Sequence, residues 1–356
     1  MWENDYVDFT GMLEMVLERG LRPEVDVLLV DEAQDVSRLS MDILEMWGKD
    51  CTSTVYVGDS DQAILRFAGA VPEAFMNLNH TWTKVLDQSH RVPRKVHEYA
   101  MRIIKKALNR ENVEYKARDA EGSIYGFNLL EPNLELEGTH MILGRCDFHL
   151  NKWRKYLLEK KIAFHNPYRP GDKAWNPLNT KIWRAARSYT RLKDGEEITG
   201  FELKNMVMTM VSRGNLVVGT KSKIDDIFEV GGIGFKSKVD LFKAIGLGVF
   251  SPELITFKKE ISEIFKVEGT QSGELLGRVS EILEEPRVII GTIHSVKGGE
   301  ADHVWIDKGT SYGCLKGCKD DARVFWDEVR VSYVGVTRGR VGCGLILGGL
   351  ENIKVW

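Results

Sequence analysis

The stretch that decides the fold is Val25-Asp26-Val27-Leu28-Leu29-Val30-Asp31-Glu32-Ala33-Gln34-Asp35. A run of valine and leucine that ends in acidic residues is typical of a buried strand in a parallel sheet. Ligands of open α/β sheets bind at the carboxyl ends of such strands. The sequence therefore predicts that Asp31 and Glu32 lie at a ligand-binding edge. The alternative is a solvated acidic loop that follows a strand.

Around this strand, β-rich runs alternate with amphipathic stretches through residues 1–150. The alternation predicts an α/β fold in which helices flank a parallel sheet. The predicted strands are 25–30, 54–57, 123–129 and 139–143, and the predicted helices are 37–47, 93–108 and 148–160. Between 151 and 285 the pattern is mostly helical. Strand patterns return at 288–293, 302–306 and 341–347, so we expect residues 286–356 to rejoin a sheet that a helical insertion interrupts.

Composition limits the class of protein. At about 150 residues per domain, 356 residues predict two compact units, and 43% hydrophobic residues are enough for a core in each. The net charge of −3 means that any nucleic-acid contact must come from local patches. Five cysteines and no secretory signal predict a reduced, cytoplasmic protein, and no apolar run is long enough to cross a membrane. Cys314 and Cys318, with His303 nearby, lack a second pair at zinc-ligand spacing.

Four further motifs follow the acidic one in the chain. They are Gly58-Asp59-Ser60-Asp61-Gln62-Ala63-Ile64-Leu65-Arg66-Phe67-Ala68-Gly69-Ala70, Gln88-Ser89-His90-Arg91, Gly291-Thr292-Ile293-His294-Ser295-Val296-Lys297-Gly298-Gly299-Glu300 and Val331-Ser332-Tyr333-Val334-Gly335-Val336-Thr337-Arg338. In this order and context the five motifs resemble those of the UvrD/Rep (PcrA-like) family of superfamily 1 DNA helicases.

The resemblance implies two RecA-like parallel-sheet lobes, the first incomplete, with a mostly helical insertion in the second. Residues 1–86 would be the distal part of the first lobe, and 87–150 and 286–356 the two parts of the second lobe. Residues 151–285 would form the insertion, which is shorter than the family's 2B domain.

The resemblance also implies a nucleotide site for ATP and Mg²⁺. Asp31 would hold the metal and Glu32 would activate water, while Gln62 senses the γ-phosphate. Arg91 and Arg338 would act as arginine fingers. Taken alone, Gln62 could be a loop cap, and the ordinary interpretations are favoured for the arginines, a surface phosphate contact for Arg91 and a charge at a helix end for Arg338.

Two weaker assignments complete this nucleotide site. By the resemblance, Glu300 lies near the nucleotide sugar, and Lys297 is a basic residue that couples the lobes.

Contacts with single-stranded DNA are implied at three other positions. Phe67 matches an aromatic residue on which the family stacks a base, and Thr292 and His294 match residues that contact the strand from the second lobe. The alternative for Phe67 is an ordinary core aromatic. Leu65 and Ala68 stand where the family often has an aromatic residue and an arginine, so this DNA-facing stretch is poorer than usual.

A basic segment gives a second DNA signal. Between Lys152 and Lys193 there are twelve Lys/Arg and two acids, a balance of 12 − 2 = +10, with seven aromatics among them. At 100° per residue, Lys181, Arg184, Arg187 and Arg191 share one helical face, which suits a phosphate backbone. A solvated helix face is the alternative.

The 356 residues contain no phosphate loop of the form G-x-x-x-x-G-K-[ST], and only 30 residues precede Asp31. Together with the resemblance, which implies 3′–5′ movement on single-stranded DNA, this predicts the distal part of an ATP-dependent DNA helicase or translocase that needs a P-loop segment in cis or in trans. Its DNA partner would be a single strand or a duplex with a single-stranded tail. The alternative function is a non-catalytic single-stranded DNA-binding or interaction protein.

Overall fold

The computed structural model describes residues 7–111, 113–171, 175–177, 181–256, 258–259, 261–265, 286–348 and 355–356. The strands of these residues, β1 to β12, are Val27–Val30, Ser53–Tyr56, Gln88–Pro93, Lys116–Arg118, Ser123–Leu129, His140–Gly144, Phe164–His165, Ile198–Thr199, Lys238–Val239, Val288–Thr292, Ala301–Asp307 and Gly339–Ile346. The helices, α1 to α13, are Phe9–Glu18, Arg38–Gly48, Pro72–Met76, Arg94–Ile104, Asp147–Glu159, Lys181–Lys193, Gly200–Thr209, Ile224–Val230, Leu241–Gly246, Pro252–Ile255, Ile261–Ile264, Tyr312–Asp320 and Ala322–Val336.

The decisive stretch forms the predicted strand, β1, which pairs in parallel with β2. Leu29 lies opposite Val55, and Val30 lies opposite Tyr56. Both strands therefore end at the same edge, where the acidic motif and the second motif begin. The expected α/β class with parallel sheets is confirmed.

The chain divides into two compact units. The first unit consists of Met1–Asn133, Leu143–His149 and Thr292–Trp356, and the second of Leu134–Ile142 and Leu150–Gly291. In the first unit three strands are neighbours in the order β5-β12-β11. Three strands that lie mainly in the second unit are neighbours in the order β6-β10-β7.

The first unit is built on buried parallel strands. β11 and β12 pair in parallel, with Val304 opposite Cys343 and Ile306 opposite Leu345. These four side chains are buried, as expected for a parallel strand covered on both faces. Helix α13 leads directly into β12, so the residues at its C-terminus are fixed by the sheet.

The second unit has a helical core of its own. Helices α6 and α7 contribute Trp183, Tyr189, Leu203 and Met206 to a buried cluster, and Phe265 joins it. Helices are the main regular structure in the described part of residues 151–285, as predicted, but three unpredicted two-residue strands, β7, β8 and β9, also lie there.

Two features differ from the sequence-based expectation. The helix predicted to begin at Pro93 begins at Arg94, because Pro93 is the N-cap residue with extended backbone angles. The residues just before it form β3, which pairs in parallel with β4. Neither strand was predicted, since polar residues such as Gln88 and Lys116 hide the strand periodicity.

Candidate functional site

The two strand ends of the first unit are tied together by Gln34, which is completely buried. Its Oε1 accepts a hydrogen bond from the backbone N–H of Asp59 at 2.9 Å, and its Nε2 donates to the Glu32 carboxylate. Gly58 makes this approach possible, because a Cβ there would lie 2.5 Å from the Gln34 Oε1. The acidic motif after β1 and the Asp59–Gln62 segment after β2 therefore form one surface.

Glu32 has an unusual backbone. Its φ of 51° and ψ of 39° place it in the left-handed region, and Lys161 is the one other described non-glycine residue with a positive φ. Such a conformation costs on the order of 1–3 kcal/mol and is common where a side chain must be aimed. The Glu32 N–H donates to Asp31 Oδ1 at 2.8 Å, so the two acids are held in different orientations.

Lys297 lies against the acidic motif. Its Nζ is 3.3 Å from Glu32 Oε2, donates to the backbone oxygen of Gln62 at 3.0 Å, and forms a short ion pair with Asp35. Burial raises the pKa of Asp35, although Lys297 opposes that rise. The structure thus joins residues that lie more than 200 positions apart in the chain.

Arg338 follows helix α13 and is 1% exposed. Its Nη2 donates to Gln62 Oε1 at 3.1 Å, and its other hydrogen bonds go to the backbone oxygens of Val334 and Gly299 and to the Thr337 hydroxyl. Among the described residues no carboxylate pairs with it. Burial, and then repulsion from Arg91, lower its pKa to about 10. Among the described residues it is therefore a buried cation with no carboxylate bonded to it, although its bond to Val334, in the last turn of α13, also fits a charge at a helix end.

Arg91 and Arg338 contact neighbouring residues of one segment, Arg91 the Glu300 carboxylate and Arg338 the Gly299 backbone oxygen. Its Nε is buried and has no hydrogen-bond partner among the described residues. Its Nη1 is 3.9 Å from Glu300 Oε2, and the other Glu300 oxygen is 3.2 Å from Arg340. Arg91 and Glu300 therefore share an edge of the same cluster.

Gln62 has both of its side-chain groups fixed. Nε2 donates to Asp59 Oδ2 at 2.7 Å, as a loop cap would, and Oε1 accepts from Arg338. The bond to Asp59 fits the loop-cap alternative, and the bond to Arg338 joins Gln62 to another residue of the predicted site.

Phe67 and His294 form an aromatic pair in the first unit. Their ring centroids are 5.2 Å apart at 80°, and Phe67 is 75% exposed, which excludes the core-aromatic alternative. Burial, and then repulsion from Arg145, lower the pKa of His294 to about 4. Thr292 is buried and its hydroxyl accepts from the Ser295 N–H at 3.2 Å. An exposed ring backed by a neutral imidazole is a suitable stacking surface.

The basic segment of the second unit forms helix α6, as its spacing predicts. Lys181 and Arg184 are exposed and Arg187 is half-buried. Arg191 instead pairs with Glu196 and Glu202, both at 2.9 Å. Several aromatics of the segment, including Trp175 and Trp183, are buried. The structure therefore leaves the cations of α6, not its aromatic rings, as the groups that a phosphate backbone can reach.

A magnesium ion is implied by the resemblance, and the acids present fit one. Mg²⁺ commonly binds one or two carboxylates together with substrate phosphates and water. Asp31 is exposed and uses one oxygen in its bond to the Glu32 N–H. In the described part of the chain, no group of three or more His, Cys, Asp or Glu side chains can hold a metal by itself. His303 donates to or accepts from the Tyr125 hydroxyl at 2.7 Å.

Sequence reasoning missed several residues that shape this site: Gln34, Asp35, Asp61, Arg110 and Arg330. Gln34 and Asp35 lie inside the acidic motif, so their spacing was visible, but nothing in the sequence indicates that an amide bridges two strands. Arg110 and Arg330 lie outside any pattern that points to chemistry.

Comparison with known proteins gives consistent matches. Residues 6–83 match the family model of the UvrD/REP helicase N-terminal domain. A probable DNA helicase II homolog of Mycoplasma capricolum subsp. capricolum is 26% identical over 166 residues, covering 40% of this chain and 23% of the relative. One subunit of an ATP-dependent helicase/nuclease from Clostridium beijerinckii is 23% identical over 232 residues, covering 64% of this chain and 16% of the relative.

The predicted resemblance to the UvrD/Rep helicases is confirmed. This UvrD/Rep-like chain spans less than a quarter of the length of either relative. None of its described helices is both long enough and apolar enough to pass through a bilayer.

Proposed function

We propose that this chain is part of an ATP-dependent DNA helicase or translocase of UvrD type that moves 3′ to 5′. The observation that carries the proposal is the buried Arg338 guanidinium, which contacts Gln62 and lacks an acidic partner among the described residues. A buried cation of this kind is costly unless an anion is supplied. The γ-phosphate of ATP is such an anion, and Arg91, whose buried Nε has no hydrogen-bond partner among the described residues, offers a second cation.

The groups around Arg338 suit phosphoryl transfer to water. Glu32 would accept a proton from the attacking water, and the Gln62 amide would orient that water without adding charge. Arg91 and Arg338 would neutralise charge that develops on the γ-phosphate, an effect worth roughly 10³–10⁵ in rate. Asp31 would hold Mg²⁺, which would supply positive charge to the phosphates. Glu300 would contact the nucleotide sugar.

DNA would lie along the exposed ring of Phe67. One stacked base contributes roughly 1–3 kcal/mol, and His294 supports the ring from its edge. In the second unit, the cations of α6, Lys181, Arg184 and Arg187, would contact a phosphate backbone. The substrate class is therefore single-stranded DNA, or a duplex with a single-stranded tail.

We further propose that a separate segment, in cis or in trans, completes the nucleotide site with a phosphate loop. One face of the β1–β2 sheet supports this proposal. Val27 and Leu29 are 52% and 72% exposed, whereas parallel strands are normally covered on both faces. A strand and helix placed there would bring a glycine-rich loop to the edge that carries Asp31 and Glu32.

The test is ATP hydrolysis, measured with and without single-stranded DNA, for this chain alone and for its mixture with a P-loop-bearing first segment. We expect little turnover by the chain alone and DNA-stimulated turnover by the mixture. Glu32→Gln should abolish the stimulated rate. A rate in the mixture that Glu32→Gln leaves intact would contradict the assignment. DNA binding without turnover in either sample would favour the non-catalytic DNA-binding protein instead.

A further inference from the structure

The Ser60–Gln62 turn presents Gln62 to Arg338. Arg110 and Arg330, which hold this turn, lie outside the five motifs. Asp61 and Arg110 form a two-point ion pair, in which Arg110 Nε lies 3.0 Å from both carboxylate oxygens and Nη2 lies 2.5 Å from Oδ2. Both side chains are buried, at 8% and 5% exposure. The second donor of Arg110 also reaches the backbone oxygen of Val113 at 3.2 Å.

Arg330 holds the same turn from helix α13. Its Nε donates to the Ser60 backbone oxygen at 3.0 Å, and its two terminal nitrogens donate to the side-chain and backbone oxygens of Asn109 at 3.1 and 3.0 Å. Arg330 is therefore bonded both to the turn and to the residue next to Arg110.

Together, the bonds made by Arg110 and Arg330 form a fixed frame around Gln62. Helix α13 contacts the turn at two points, through Arg330 at Ser60 and through Arg338 just beyond the helix at Gln62. Asp61, between those two residues, is fixed from the side by Arg110. A guanidinium that bonds its partner at two points restricts the partner's rotation more than a single ammonium does. The frame therefore holds the Ser60–Gln62 turn and limits where the Gln62 amide can point.

We infer that Arg110 and Arg330 are positioning residues, which set the Gln62 amide relative to Arg338 through the Ser60–Gln62 turn without touching the nucleotide. The effect of these two residues on ATP hydrolysis rests on the proposed function. Their effect on the position of the Gln62 amide does not depend on it. Loosening the frame should slow the chemical step while leaving nucleotide affinity nearly unchanged, since the guanidinium groups of both residues are already bonded to the protein.

The test compares Arg110→Lys and Arg330→Lys with Arg94→Lys. The control makes the same chemical change in an exposed ion pair, that of Arg94 with Asp119. The chain has four glutamines, so selective ¹⁵N-glutamine labelling gives a simple spectrum in which Gln62→Glu identifies the Gln62 amide. We expect its side-chain signals to shift in both frame variants and to stay in place in Arg94→Lys. In the mixture with a P-loop-bearing segment, kcat should fall about 10-fold in the frame variants and KM for ATP should stay within about 2-fold.

Unchanged Gln62 signals in folded Arg110→Lys and Arg330→Lys proteins would overturn the inference, whatever the hydrolysis rates. An unchanged kcat, or an equal loss in Arg94→Lys, would also overturn it. If the wild-type mixture hydrolyses no ATP, the proposed function fails, and the spectra still decide whether Arg110 and Arg330 set the Gln62 amide. If one of the two variants does not fold, the other carries the same comparison.

Discussion

At the scale of single residues, two buried arginines of the first unit differ in what surrounds their charge. Arg110 has a carboxylate partner, Asp61, whereas Arg338 bonds only neutral oxygens among the described residues. Removing one member of a buried ion pair costs about 3–5 kcal/mol, because the other charge is left unpaired. Removing Arg338 leaves no partner charge unpaired, so this cost does not arise there.

We therefore predict unequal effects of the same substitution. Arg110→Met should lower the free energy of unfolding by about 3–5 kcal/mol. Arg338→Met should change it by less than about 1 kcal/mol, since loss of an uncompensated charge offsets the loss of its hydrogen bonds. Urea denaturation followed by circular dichroism measures both. A large loss of stability in Arg338→Met would mean that its charge already has a structural partner.

His294 should make stability depend on pH. Burial lowers its pKa to about 4 in the folded protein, from about 6.5 when unfolded. The folded state disfavours the protonated His294 ring. The stability that depends on keeping this ring neutral is therefore fully present above pH 6.5 and is lost as the pH falls toward 4. Between pH 7 and pH 5 the wild type should lose about 2 kcal/mol more unfolding free energy than His294→Gln. Equal losses in the two proteins would show that the ring is protonated without penalty.

At the scale of elements, the start of helix α7 tests how tightly the second unit is built. A Cβ on Gly200 would lie 2.2 Å from the Gly234 backbone oxygen, closer than any contact tolerates. Gly246, at the end of α9, has nothing within 4 Å of the same position and no positive φ. The two glycines therefore serve different purposes.

Alanine at these positions should act in opposite directions. Gly200→Ala must displace backbone and should cost roughly 1–3 kcal/mol, whereas Gly246→Ala should be neutral or stabilise by up to about 1 kcal/mol. Equilibrium unfolding of the two variants gives the comparison. A neutral Gly200→Ala would show that the Gly234 backbone is not packed against the start of α7.

The uncovered face of the β1–β2 sheet gives a second element-scale prediction. Leu29→Asp should leave the stability of the chain nearly unchanged, because Leu29 is 72% exposed, but should weaken binding of the P-loop-bearing segment at least about 10-fold, since an aspartate would be buried there. Leu108→Asp, at a residue 79% exposed elsewhere in the first unit, is the matched control. If both variants bind the P-loop-bearing segment with equal affinity in a titration, the segment does not pack on this face.

Elements were more predictable from the sequence than contacts. Strand β5 spans its predicted residues, and β1, β2 and β6 differ from prediction by one or two residues, because apolar periodicity is a local property. The bridge made by Gln34 and the frame made by Arg110 and Arg330 depend on how distant segments meet, which no local pattern encodes. The order of the motifs predicted that Gln62 and Arg338 belong to one site. The sequence does not indicate that Arg338 lacks an acidic partner among the described residues; the three-dimensional structure does.

At the scale of the whole molecule, DNA affinity should report on helix α6. Replacing Lys181, Arg184 and Arg187 together by alanine should weaken single-stranded DNA binding and reduce the slope of log K against log salt by roughly 2, at about 0.7 per lost phosphate contact. Replacing Arg94, Lys95 and Arg102 of α4 removes the same charge and is the control. Equal slopes in the two triple variants would show that net charge alone governs binding.

The most direct measurement of the central claim is the preference for ATP over ADP. It compares the affinities of a non-hydrolysable ATP analogue and of ADP, each with Mg²⁺, for the chain combined with its P-loop-bearing segment. If Arg91 and Arg338 meet the γ-phosphate, Arg338→Met should reduce that preference at least about 10-fold and leave ADP affinity nearly unchanged. An unchanged preference in Arg338→Met would contradict the account.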